Sequence, residues 1–261
     1  MGLIRSIYSR FEQAARERGY RITWAPRVVV GNTADTELGF DLEFVVAHLM
    51  LRRKDLFFIQ IGANDGITND PLYKFITEFG WQGILVEPMP ESFAALQETH
   101  RGRPGLTLLN AALAGEDGTL PIYTVRIDAG TFQKAQMYSS FDRNVVLRNS
   151  RFVPDIANRI EEVQVKAVSM KTLLGHAGSR PVDILAIDAE GFDYTILKMI
   201  DFTRLKPAII LYEHTHLNKA DQEAAAELLA AHGYRMTRDT LDTIGYRPEF
   251  TYGWRHIDQR G

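Results

Sequence analysis

The chain has 261 residues, 45% of them hydrophobic and 24% charged, which fits one α/β core with additions rather than a disordered or fibrous protein. Its 30 basic and 33 acidic residues leave a formal charge of -3, and no dense Lys/Arg run occurs, which weighs against nucleic acid as the main partner. A cysteine count of 0 excludes disulfides and thiolate metal sites, and no apolar run reaches the roughly 18–20 residues of a transmembrane segment.

The N-terminus lacks a signal-peptide core, so the cytoplasm is the expected location. Met1-Gly2-Leu3-Ile4-Arg5-Ser6 fits the short N-myristoylation pattern, a match that is common by chance. Leu3, Ile4, Ile7, Tyr8 and Phe11 recur at helical spacing among Arg5, Arg10, Glu12 and Arg16. This spacing predicts an amphipathic helix that docks on the domain or on a second copy of the chain, with peripheral membrane contact as the alternative. Arg27 to Val30 reads as a short strand, and Asp41 as the cap of a helix ending at Arg52. Residues 1–54 are therefore expected to form an N-terminal helical extension and residues 55–261 the main domain.

Alternation begins at Leu56, where a buried strand runs to Ile61, followed by a helix opened by Asp70-Pro71. Strands are expected at Gly83 to Val86, Leu106 to Asn110, Gly118 to Val125 and Val163 to Val168, with a helix from Glu91 to His100. Ser169 caps a helix through Leu174; Asp183 to Ile187 and Ala208 to Tyr212 are further strands, each leading into a helix. Ala129 to Arg159 shows no clean period. Tyr234 to Leu241 and Thr243 to Arg247 read as a closing hairpin. Strands alternating with helices imply a largely parallel sheet covered on both faces, with ligands at the carboxyl ends of its strands.

Four of those ends carry chemistry. Gly62-Ala63-Asn64-Asp65-Gly66 has the spacing of a ligand-cradling turn but lacks the middle glycine of a dinucleotide fingerprint. A carboxylate there repels phosphate and suits an ammonium or sulfonium, so Asp65 is expected to face a cationic ligand while Asp70 caps the next helix. Glu87-Pro88 ends the second strand about twenty residues later, where an acid accepts both hydroxyls of a ribose. Asn110-Ala111 offers an amide and a small residue. The fourth end, Ile187-Asp188-Ala189-Glu190-Gly191, and its neighbour, Tyr212-Glu213-His214-Thr215-His216, gather ionisable groups in the manner of a reaction site.

The ordered set FIQIGANDG, GILVEP, LNAAL, DILAIDAEGFDYTIL and PAIILYEH, from about Phe57 to His216, resembles the FkbM-type S-adenosylmethionine-dependent methyltransferases. The resemblance implies a Rossmann-like class I methyltransferase fold, with a seven-stranded, mostly parallel sheet closed by an antiparallel hairpin. It implies S-adenosylmethionine as cofactor, with Gly62, Ala63, Asn64 and Gly66 beside its methionine portion and ribose. Glu87 would hold the ribose hydroxyls, Asn110 and Ala111 would lie near adenine, and Asp188 and Glu190 would stand at the reaction centre. The implied activity is methylation of a hydroxyl on a sugar, glycan or natural-product scaffold. The continuation Asp65-Gly66-Ile67-Thr68-Asn69-Asp70-Pro71 departs from many members.

Methyl transfer to an alcohol needs alignment and proton removal, so His214 or Asp188 is expected as general base, with Glu190 orienting the acceptor. Asp188, Glu213 and His214 would be the ligands if magnesium took part; the histidine counts against that, and a metal-free reaction is expected. Tyr138, Ser139 and Arg143, in the segment Met137 to Asn144, are candidates for an acceptor-binding lid, together with Glu213. Two alternatives stand beside this reading. One is a catalytically silent methyltransferase fold that binds a partner; the other, a nicotinamide-dependent oxidoreductase, is disfavoured by the missing glycine.

Overall fold

A computed structural model of the protein describes residues 42–126 and 138–250. The expected N-terminal helix, the strand at 27–30, Asp41 and Met137 lie outside the described residues. The chain divides into Met1–Glu37 and a compact unit, Leu38–Gly261.

In that second unit, α1 (Leu42–Arg52) precedes β1 (Phe57–Ile61), α2 (Tyr73–Phe79), β2 (Gln82–Val86), α3 (Pro90–Thr99) and β3 (Leu106–Leu109). β4 (Ala112–Ala114), β5 (Gly118–Val125), α4 (Arg143–Leu147), α5 (Ile156–Arg159) and β6 (Ile160–Ser169) follow. The chain then runs through α6 (Met170–Ala177), β7 (Ile184–Ile187), α7 (Asp193–Lys198), β8 (Ile209–Glu213), α8 (Lys219–Ala231), β9 (Arg235–Arg238) and β10 (Asp242–Tyr246).

The main sheet has seven strands in the order β3-β2-β1-β7-β8-β10-β9. The five from β3 to β8 run parallel, and β10 pairs antiparallel with both β8 and β9. Strand order reverses between β1 and β7, so a crevice opens at their carboxyl ends.

Central strands are apolar on both faces because helices cover both. Ile59, Ile61, Leu185 and Ile187 pack toward α6, α7 and α8 through Leu173, Leu197 and Leu229. Phe58, Leu85, Ile184 and Leu211 pack toward α1, α2 and α3 through Val46, Leu49, Ile76 and Leu96. The helix α1 packs against this face of the sheet. Its end is anchored where Arg53 pairs with Asp183, a buried carboxylate that also accepts Phe57 N at 3.0 Å. Trp81 is core, stacked on Phe75 with ring centroids 4.6 Å apart.

Ser169 caps α6 as expected, its Oγ accepting Thr172 N at 3.2 Å, and α8 is capped by Asn218, whose Oδ1 accepts Asp221 N at 3.0 Å. At α2 the helix begins at Tyr73 with Leu72 in the cap position, two residues beyond Pro71, so the expected Asp70-Pro71 start is not found. Asp70 Oδ1 instead accepts Leu72 N and Tyr73 N at 2.7 and 3.0 Å in the turn that leads into the helix. A second sheet of three strands, β4-β6-β5, has no counterpart in the sequence reading. Within the stretch read as irregular, Asp142 caps α4 by accepting Asn144 N at 2.8 Å, and Val146, Val153 and Ile156 form a small core with Val125.

Candidate active site

A cavity of about 620 Å³ opens at the carboxyl ends of β2, β1, β7 and β8, within the size range of small-molecule sites. Its wall on the β1/β2 side is organised by backbone. Gly62 N and Ala63 N donate to Val86 O at 2.9 and 3.0 Å, and Asp188 N donates to Ile61 O at 2.9 Å, which draws the β1 and β7 ends together. Gly62 has φ of +81°, and a Cβ on it would sit 1.7 Å from the Asp188 carbonyl oxygen. The glycine therefore answers to a neighbouring strand as much as to any ligand. Gly66, with φ of +73°, lies against Leu96 and His100 of the α3 region and does not border the cavity.

Glu87 is 5% exposed, with Oε2 accepting Asn64 N and Oε1 accepting Met89 N, both at 2.8 Å. Each oxygen keeps acceptor capacity for a ligand hydroxyl. Burial lifts its pKa from 4.5 to about 7, and the charges of Asp188 and Asp65 add to the rise. Asn110 turns away and donates through Nδ2 to the Glu87 and Pro88 carbonyls at 2.9 and 3.0 Å, pinning the loop that presents Glu87. Ala63, Asn64, Pro88 and Ala111 line the cavity.

The aspartates of the first turn divide differently from the expectation. Asp65 does not border the cavity; its carboxylate accepts Ile67 N, Thr68 N and Thr68 Oγ1 at 2.9, 2.7 and 2.6 Å, closing its own turn. Asp70, which bonds the turn before α2, borders the cavity.

The opposite wall is acidic. Asp188, Glu190 and Glu213 all line the cavity, joined by Asp242 from β10, which pairs opposite Glu213. Asp188 is open toward the cavity and crowded by protein on its other sides; loss of water and the Glu213 charge raise its pKa to about 7. Burial and the Asp188 and Glu213 charges also push Glu190 well above the usual carboxylate range. Asp188 and Glu213 adjoin and titrate as a pair, so the second of their two protons leaves late. Beneath them Asp193, fully buried, accepts Glu213 N at 3.2 Å and Gly191 N at 3.3 Å, tying the β8 end to the turn after β7. That turn holds Glu190 at φ of +48°, and Ser140 Oγ donates to the Glu190 carbonyl at 2.7 Å.

The histidine in this wall is His216. Its Nε2 lies 3.1 Å from Glu190 Oε2 and 3.5 Å from Glu213 Oε1, and it lines the cavity. His214 does not border the cavity; its Nδ1 is 3.2 Å from Thr243 Oγ1. The expected ligand trio Asp188, Glu213 and His214 is accordingly not the group that converges. Among the described residues, Glu190, Glu213 and His216 bring ligand-type atoms within 4.8 Å of one another.

At the mouth, Tyr138 stacks on Phe152 at 6.0 Å, and Ser139 Oγ donates to Thr124 Oγ1 at 2.8 Å; both Tyr138 and Ser139 line the cavity. Arg143 is exposed at the start of α4 and does not border it. The sequence reading missed His216 and Asp193. The signals were present, since His216 stands three residues beyond Glu213 and Asp193 opens the helix after Gly191.

A seven-stranded sheet in this order, closed by an antiparallel hairpin and carrying a cavity at the strand reversal, defines the class I methyltransferase fold. A family model, the methyltransferase FkbM domain, matches residues 60–236, and the chain belongs to that family. Among solved structures, the chain is similar to a methyltransferase FkbM from Methylobacillus flagellatus KT, with 11% identity and a TM-score of 0.47. The match covers 74% of this chain and 44% of that one, so the chain spans less than half of that relative's length. A precorrin-6y C5,15-methyltransferase from Geobacter metallireducens GS-15 is 14% identical, with a TM-score of 0.38, over 82% of this chain and 94% of that one. The METTL16 MTase domain is 11% identical, with a TM-score of 0.44, over 79% and 66%. No curated protein sequence matches the chain. No helix among the described residues is long and apolar enough to cross a membrane.

Proposed function

We propose that the protein is an S-adenosylmethionine-dependent O-methyltransferase acting on a hydroxyl of a sugar, glycan or natural-product small molecule, with residues 55–261 as the catalytic domain. One observation carries the reading. A single cavity joins a glutamate suited to a ribose, Glu87, to an acidic wall suited to a cation and an acceptor hydroxyl, Asp188 with Glu190 and His216. The family membership supports the cofactor. So does the donor set: Glu87 keeps acceptor capacity, Ala63 and Ala111 leave room, and Asp188 supplies charge opposite a sulfonium.

When bound, the cofactor supplies an electrophilic methyl group whose bonding pair leaves with the sulfur. The chain aligns the acceptor oxygen for in-line attack and removes its proton. Asp188 is the proposed base, because a carboxylate whose pKa sits at about 7 accepts a proton efficiently near neutrality and ionises more readily beside a cation. Glu190, held against His216, orients the acceptor hydroxyl, and the stacked Tyr138 and Phe152 give a sugar or ring scaffold an apolar face at the mouth.

The reaction is read as metal-free. Magnesium favours oxygen ligands, and a histidine nitrogen sits between Glu190 and Glu213. The test incubates the full chain with methyl-labelled S-adenosylmethionine and a panel of polyhydroxylated acceptors, with and without chelator. Label in an alkali-stable ether, unaffected by chelation, is expected. Binding of NADH but not S-adenosylhomocysteine would overturn the reading.

A further inference from the structure

The mouth of the cavity carries a charge opposite in sign to its wall. Asp70, Glu87, Asp188, Glu190, Glu213 and Asp242 all line the cavity, and among the described lining residues the permanent cation is Arg151. A guanidinium free to move would fold onto one of those carboxylates. Arg151 does not: it is exposed, it makes no ion pair, and its Cζ lies 4.5 Å from the centroid of the Phe152 ring. The turn that presents it is anchored. Arg148–Arg151 is a 3-10 turn, Phe152 N and Val153 N donate to Asn149 O at 2.9 and 3.1 Å, and Val153 is buried beside Val146 and Ile156. Backbone and core therefore hold Arg151 and Phe152 at the mouth, with the positive charge kept off the acidic wall.

An aromatic ring offers no lone pair, so the contact with Phe152 fixes the guanidinium without consuming its N–H donors. Those donors form a planar fork that matches a carboxylate or a phosphate. The acidic wall repels the same group. The two ends of the cavity thus act together on a polar acceptor: an anionic substituent is drawn to the mouth, and the hydroxyl is left pointing inward to Asp188. The Phe152 ring, stacked on Tyr138 with 11° between the planes, supplies the apolar face between them. A neutral acceptor gains the ring contact and no orientation from the field.

We propose that Arg151 determines acceptor specificity, selecting hydroxylated acceptors that carry an anionic group, a carboxylate or a phosphate monoester. This rests on the methyltransferase reading above and narrows its acceptor class. The cation that sequence spacing offered in this segment was Arg143, which is exposed away from the cavity; the later Arg151 borders it.

The test uses matched acceptors on the full chain: a methyl glucoside, the corresponding glucuronoside and its phosphate ester, and a hydroxybenzyl alcohol with its carboxylate and phosphate counterparts. Binding is read by ligand-observed NMR, with and without S-adenosylhomocysteine, and methyl transfer by label from S-adenosylmethionine. The wild type is expected to bind an acidic member at least about tenfold more tightly than its neutral partner. The carboxylate and phosphate arms show which anion is preferred. Arg151→Gln should erase that preference, Arg151→Lys should restore part of it, and Arg143→Gln, which removes the same charge off the cavity, should leave it intact. Equal binding of neutral and acidic members, no binding of any acidic member, or an unchanged preference in Arg151→Gln would overturn the proposal. A tenfold loss of S-adenosylhomocysteine affinity in Arg151→Gln would also overturn it, by giving the residue to the cofactor. Failure of the wild type to bind S-adenosylhomocysteine would overturn the methyltransferase reading, while the anion preference is judged separately on the cofactor-free chain.

Discussion

The two walls of the cavity hold their carboxylates in different ways. On the β2 side, Glu87 is bonded by the backbone N–H groups of Asn64 and Met89, so its position is set before any ligand arrives. On the β7/β8 side, Asp188, Glu190 and Glu213 crowd one another; Glu190 Oε2 has the His216 imidazole 3.1 Å away, and Glu213 keeps a buried oxygen without a hydrogen bond. A carboxylate fixed by backbone donors is built to recognise. Carboxylates that raise one another's pKa are built to move protons. In the proposed reading the β2 side binds and the β7/β8 side reacts, with β1 between them.

The largest expected effects break that division on the reacting side. Asp188→Asn is expected to lower turnover by about 10²- to 10⁴-fold, the usual span for a general base, while S-adenosylhomocysteine binding measured by calorimetry stays within about tenfold. Turnover near wild type would remove Asp188 as base. His216→Ala should follow, with turnover falling about 10-fold or more, whereas His214→Ala, which touches Thr243 rather than the cavity, should stay within about threefold of wild type.

The binding side gives smaller effects of another kind. Glu87 has a folded-state pKa raised from 4.5 to about 7. Its contribution to stability is complete below about 4.5 and is lost as pH rises through about 7, because the unfolded carboxylate ionises first. Glu87→Gln removes that titration. Thermal melts should therefore show the variant gaining on the wild type as pH rises through this window, and parallel curves would contradict the assigned burial. The smallest effect is expected at Arg143, exposed and away from the cavity, where Arg143→Ala should change acceptor KM by less than about twofold.

The fold was legible wherever a strand is apolar on both faces. β1, β2, β7 and β8 announce themselves because each is buried between helices, and β5 has the bounds Gly118–Val125 in sequence and structure alike. β4 escaped because Ala112–Ala114 has small residues with no strand signature, and with it the three-stranded sheet. The irregular reading of the segment before β6 missed α4 and α5, which are five and four residues long and too short to display a period.

At the site, the strand ends were legible and the turns after them were not. Sequence brought Glu87, Asp188, Glu190 and Glu213 to one side of the sheet, and all of them line one cavity. It named the histidine adjacent to Glu213, whereas the turn beyond β8 swings His214 toward Thr243 and returns His216 to Glu190. Asp65 and Asp70 exchanged surroundings for a similar reason: a carboxylate one residue from a glycine can bond its own turn, and spacing alone does not reveal that.

The division of labour between the walls is tested most directly by titrating S-adenosylhomocysteine into Glu87→Ala and Glu190→Gln under one set of conditions. The account predicts at least about a tenfold loss of affinity for the first and less than about threefold change for the second, which nonetheless loses methyl transfer. Unchanged affinity in Glu87→Ala, together with a large loss in Glu190→Gln, would contradict it.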